Sequence, residues 1–81
     1  MIRIATYKNE DTAAFVSRMI RLAVGKRARI EIVHSQNAHD VVAKIKDQTL
    51  TALDLEAIAT NMWKTWLRLR GIELVTVVKE A

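Results

Sequence analysis

The chain has 81 residues, no cysteine and no proline, two glycines, and thirteen Lys and Arg against nine Asp and Glu, for a net charge of +4. Lack of cysteine excludes disulfides, thiolate metal sites and a cysteine nucleophile, and a chain this short forms one domain, residues 1–81, with its large apolar side chains committed to a single core. The positive balance favours an acidic partner, nucleic acid or an acidic protein surface, and no apolar run reaches the ~18 residues of a membrane-spanning helix.

The first residues, MIRIATYKNED, lack the continuous apolar segment of a signal peptide, which with the missing disulfides points to the cytoplasm and away from membranes. Residues 2–8 alternate, with Ile2, Ile4 and Thr6 on one face and Arg3, Ala5 and Tyr7 on the other, as a short strand does. Asn9 then supplies a helix N-cap, and Glu10 and Asp11 suit the positive end of the helix dipole. Phe15, Val16, Met19, Ile20 and Ala23 form an apolar stripe with Ser17, Arg18 and Arg21 opposite, and Gly25 is placed to end the helix. RARIEIV, residues 27–33, predicts a second strand with Ala28, Ile30 and Ile32 on one face.

Residues 34–48, HSQNAHDVVAKIKDQ, fit two periods. Ala38, Val41, Val42 and Ile45 have helical spacing, whereas Val41, Ala43 and Ile45 alternate against Val42, Lys44 and Lys46 as in a strand, with SQNA as a four-residue hairpin loop. Farther on, Thr51 and Asp54 form a capping pair. Leu55, Ile58, Ala59, Met62, Trp66 and Leu69 make the apolar stripe of a long helix that Gly71 closes, and IELVTVV, 72–78, is a β-branched strand.

If residues 38–48 are a strand, the order is βαββαβ, two similar halves. That is an α+β, ferredoxin-like two-layer sandwich, an antiparallel or mixed sheet with two helices on one face. The alternative, βαβααβ, has a three-stranded sheet. The repeat of the two halves and the β-branched Val41–Val42 pair favour the first.

The open face of such a sheet carries Arg3, Ala5 and Tyr7, then Arg27, Arg29, Glu31 and Val33, then Val42, Lys44 and Lys46, and finally Glu73, Val75, Val77 and Lys79. It is basic on balance, with Tyr7 its one aromatic. On the long helix, Trp66 falls on the core stripe and Trp63 at its boundary with Ala59 and Arg70. Lys64 and Arg68 form an i, i+4 pair on the flank, where they complement the helix dipole or contact phosphates.

Catalytic chemistry finds little support. Ser35, His34, His39 and Asp40 are the residue types of a hydrolase triad, but they crowd into one turn with no glycine to shape a nucleophile elbow. His34 and His39 would face each other across the hairpin about 5 Å apart, within reach of a shared metal. Asp40 points to the other face and no further His or Cys exists, so both read as exposed loop histidines, and neither metal nor cofactor is expected. Glu10 with Asp11 and Asp54 with Glu56 lie at helix starts, where the dipole accounts for them. There is no phosphate-binding glycine loop. A helix-turn-helix over 51–70 fails because Glu56, Thr60 and Arg70 would occupy its apolar positions.

The function this supports is a small non-catalytic binding protein. Nucleic acid, RNA or DNA, is the first expected partner, held by Arg3, Tyr7, Arg27, Arg29, Lys44 and Lys46 of the sheet face with Lys64 and Arg68 of the helix. The second is a protein–protein module, a small inhibitor or accessory factor of the phage or plasmid type docking on an acidic or nucleic-acid-binding surface. The β-branched edge at 72–78 is also suited to pairing with a second copy in a homodimer.

Overall fold

Asn9 is where strand becomes helix. Its side-chain oxygen accepts the backbone N–H groups of Asp11 at 2.8 Å and Thr12 at 3.3 Å, satisfying two of the helix's orphan donors. In the computed structural model, which describes residues 1–70, that cap joins β1 (Ile2–Tyr7) to α1 (Glu10–Val24). Gly25 takes a φ of +56°, a conformation side chains other than glycine's rarely adopt, and opens the short 3-10 turn Gly25–Arg27. β2 (Ala28–His34) and β3 (His39–Ile45) form a hairpin, and α2 (Ala52–Leu69) follows. Thr51 and Asp54 form the expected reciprocal capping box at its start, with bonds of 3.0 and 3.2 Å.

The ambiguous stretch is a strand. Residues of β3 pair antiparallel with β1 on one side and β2 on the other, giving the order β1-β3-β2, so βαβααβ is set aside. SQNA, 35–38, is the hairpin loop, closed by the Ser35 N–H donating to the Ala38 carbonyl at 2.8 Å. The described residues are thus an α+β fold of three antiparallel strands and two helices. The expected cap at Gly71 and the strand at 72–78, with Glu73, Val75, Val77 and Lys79, lie outside them.

Both helices pack on one sheet face. Val16, Ile20 and Val24 of α1 and Leu55, Ala59, Trp63 and Leu67 of α2 close over Ile4, Tyr7, Ile30, Val41 and Ala43. The Arg21 Nε–H also donates to the Ile30 carbonyl at 3.2 Å, tying α1 to the outer edge of β2. Each helix is rotated from its expected orientation. On α1, Ser17 is buried, its hydroxyl donating to the Ala14 carbonyl, while Ala23 is exposed. On α2 the buried row is Leu55, Ala59, Trp63 and Leu67, a strict four-residue spacing.

The two tryptophans have therefore exchanged the expected roles. Trp63 is in the core, 3% exposed, with its indole N–H unpartnered among the described residues. Trp66 is half-buried in the seam between the helices, its ring centroid 5.0 Å from that of Phe15 and 5.2 Å from the Arg70 guanidinium carbon, while Leu69 is exposed. The cause is that α2 faces two surfaces at once. The sheet takes the 55–59–63–67 row, and α1 takes the adjacent shoulder of Ile58, Met62 and Trp66.

β1 departs from simple alternation as well. Arg3 stands opposite Val42 and Ala5 opposite Val41, so one extra residue is accommodated between them. This β-bulge puts both Ile4 and Ala5 on the helix-covered side and reverses the facing of everything after it. Thr6 moves to the open face and Tyr7 into the core, the reverse of the expected assignment.

Candidate nucleic-acid interface on the open sheet face

The ladder defines the open face residue by residue. Its members among the described residues are Arg3 and Thr6 of β1, Asp40, Val42 and Lys44 of β3, and Arg29, Glu31 and Val33 of β2. That is three cations against two carboxylates, and both carboxylates are engaged: Glu31 pairs with Arg29, and Asp40 accepts the Thr6 hydroxyl at 2.6 Å. Val42 is buried, with no described helix packed above it. Its cross-strand partners are Arg3 and Glu31, whose aliphatic stems flank it while their charged ends reach water.

Tyr7 has no part in this face. It is 2% exposed beneath the helices, and burial pushes its phenol up to about 12, because the phenolate would be formed away from water. No base can stack on it. The other expected residues divide into three groups. Arg3, Arg29 and Lys44 are exposed on the open face, as expected. Arg27 and Lys46 flank the strand ends, joined by the Lys46 N–H donating to the Arg27 carbonyl at 2.9 Å. Lys64 and Arg68 are exposed on α2, in the helical layer and not on the open face.

The densest charge lies at the open end of the β2–β3 hairpin. Arg29 stands directly opposite Lys44, a like-charge pair that costs a sheet some stability. Lys26, Arg27 and Lys46 gather around the same end. Two acids temper it. Glu31 takes Arg29, and Asp47 takes Arg27 at 3.3 Å while accepting the backbone N–H and hydroxyl of Thr49 at 2.9 and 2.7 Å. The bonds from Thr49, and then the nearby Arg27, hold the Asp47 carboxyl below the usual carboxylate value. Lys44 and Lys46 have no acidic partner within ion-pair distance among the described residues.

At the opposite, closed end of the hairpin, His34 pairs with His39 in register, and their Nδ1 atoms are 2.7 Å apart. These residues lie on the helix-covered side, at its rim. Glu10, from the first turn of α1, brings a carboxylate to the same place, so that one ligating atom from each of the three lies within 4.8 Å of the others. Ser35 does not address either imidazole: its hydroxyl donates to the Ala38 carbonyl at 3.1 Å, as turn chemistry requires. Sequence reasoning placed the two histidines face to face but missed Glu10, 24 residues earlier in the chain, because a helix-start acid has a sufficient local explanation. No described helix is long and apolar enough to cross a membrane. Compared with protein-family models, curated proteins and solved structures, the chain finds no match.

Proposed function

We propose that this protein is a small non-catalytic binding protein acting in the cytoplasm, and that it holds nucleic acid by its phosphates at the open end of the β2–β3 hairpin. The observation that carries the reading is Arg29 facing Lys44 in register, with Arg27 and Lys46 just beyond. Two opposed cations repel each other in the free protein, and a phosphate between them relieves that repulsion. Arg3, beside Val42 on the same face, extends the cationic track across the sheet, and Lys64 and Arg68 contribute only to the wider positive field. With Tyr7 in the core there is no stacking platform, so binding is electrostatic and indifferent to base sequence.

Fluorescence anisotropy of labelled single- and double-stranded oligonucleotides at roughly 50 and 200 mM salt tests it. Binding that weakens steeply with salt, and that Lys44→Ala or Lys46→Ala reduces with a shallower salt slope, is the expected result. No binding at the lower salt eliminates this function.

A protein partner is the second reading, as a small inhibitor or accessory factor. It is favoured by Val33, 52% exposed on the same face, and by the absence of an exposed sheet aromatic among the described residues. In that case Val33→Ala weakens capture of the partner more than any single cation does. The finer reading of the fold, a ferredoxin-like βαββαβ sandwich, rests on β3 lying between β1 and β2, as a split βαβ unit places it. Pairing of two copies through a sheet edge belongs with that reading, and sedimentation at micromolar concentration checks it.

A further inference from the structure

We propose that Glu10, His34 and His39 form a binding site for one transition-metal ion of the Zn2+ class, which fastens the closed end of the β2–β3 hairpin to the start of α1. The three donors come from separate elements that the fold brings to one rim, each with a ligating atom within 4.8 Å of the others. The two rings meet edge to face at 72°, with centroids 4.9 Å apart, so the facing nitrogens converge on a common point.

At 2.7 Å two Nδ1 atoms can only share a proton. One ring must carry it and the other must offer a lone pair, which restricts the tautomer of each. A metal ion replaces that proton and takes a lone pair from both. Nitrogen ligands at tetrahedral zinc stand about 3.3 Å apart, so the rings need to separate by only about 0.6 Å. His34 and Glu10 are exposed and free to make that adjustment. The Ser35–Ala38 bonds hold the backbone of the hairpin end while they do so.

Two imidazoles and a carboxylate suit Zn2+, Co2+, Ni2+ and Cu2+, and suit Mg2+ and Ca2+ poorly, since those prefer oxygen alone. The set leaves a fourth position for water. Asp40 does not fill it: that carboxylate is on the opposite sheet face, bonded to Thr6. A cation at the N-terminus of α1 meets the unfavourable end of the helix dipole, worth roughly half a charge. Glu10 and Asp11, two full negative charges in that first turn, outweigh it.

Isothermal titration calorimetry of the full chain with ZnCl2 decides the matter. We expect one site of micromolar affinity, weakened about tenfold or more in Glu10→Gln and lost in His34→Gln and His39→Gln, with no heat from MgCl2 or CaCl2. Titration of the unaltered chain with CoCl2 should give the intense visible bands of tetrahedral coordination, and circular dichroism verifies that each variant stays folded. Absence of Zn2+ binding at about 100 µM, or Glu10→Gln binding as tightly as the parent chain, would overturn the proposal.

Discussion

Val41 and Val42 are consecutive residues of the central strand, at 0% and 8% exposure, yet different things bury them. Val41 lies under the two helices, among Ile20, Leu55 and the other residues of a continuous apolar cluster. Val42 lies on the other face, between its cross-strand partners Arg3 and Glu31, with no described helix over it. The first face is held by apolar burial, and beneath the helices its interior is closed to any ligand. The second is kept dry by side chains that can move aside, and its charged ends already point outward. Along β3 the two-residue period thus turns apolar side chains to the helices and a mixed, charge-bearing row to the open face.

The largest test of that division compares cores. Leu55→Ala should cost about 2–5 kcal/mol in urea denaturation, whereas Val42→Ala should cost about 1. Equal losses would mean that the open face carries as much of the fold as the covered one. Next comes Tyr7, whose phenol is neutral in the fold and ionises first in the unfolded chain. With its folded value raised to about 12, its stabilising contribution is complete below the ordinary tyrosine value near 10 and is lost between about 10 and 12. Thermal unfolding at rising pH should show that loss, and Tyr7→Phe should remove the part due to this group.

A smaller effect separates binding from folding on the open face. Lys44→Glu places a carboxylate opposite Arg29 and should raise stability by about 0.2–1 kcal/mol while abolishing oligonucleotide binding. A gain in one and loss in the other, measured on the same sample, would show that the opposed cations serve a ligand at the expense of the sheet. The smallest effect belongs to Asp47, at the surface and held below the usual carboxylate value by Thr49 and Arg27. Its contribution is present above the ordinary aspartate range and lost as pH falls through the folded value. Asp47→Asn should therefore flatten the acid limb slightly, most visibly at low salt.

Much of the frame was legible in the chain. Asn9 and the Thr51–Asp54 pair act through their nearest neighbours, so the residues alone locate both helix starts. The alternation of 39–45 and the SQNA loop are likewise local, and β3 follows from them. Three features depend on distant partners and left no local mark. The bulge in β1 is defined by the residues opposite it, so IRIATYK reads as an unbroken strand and Tyr7 is assigned to the wrong face. The rotation of α2 is set by having both the sheet and Phe15 to pack against, which exchanges Trp63 and Trp66. Glu10 joins the histidines only because the end of β1, the start of α1 and the tip of the hairpin converge.

The bulge has one more consequence. Taking Ala5 out of the chain would leave Ile2 and Ile4 on the covered side, Arg3 and Thr6 on the open side, and Tyr7 in the core, each where it already stands. A one-residue deletion inside a strand ordinarily turns everything beyond it inside out. At this point it would instead yield an unbroken ladder, with Ile4 meeting Val41 directly. Length and facing are uncoupled there, so β1 can lose a residue without a change of partner farther along.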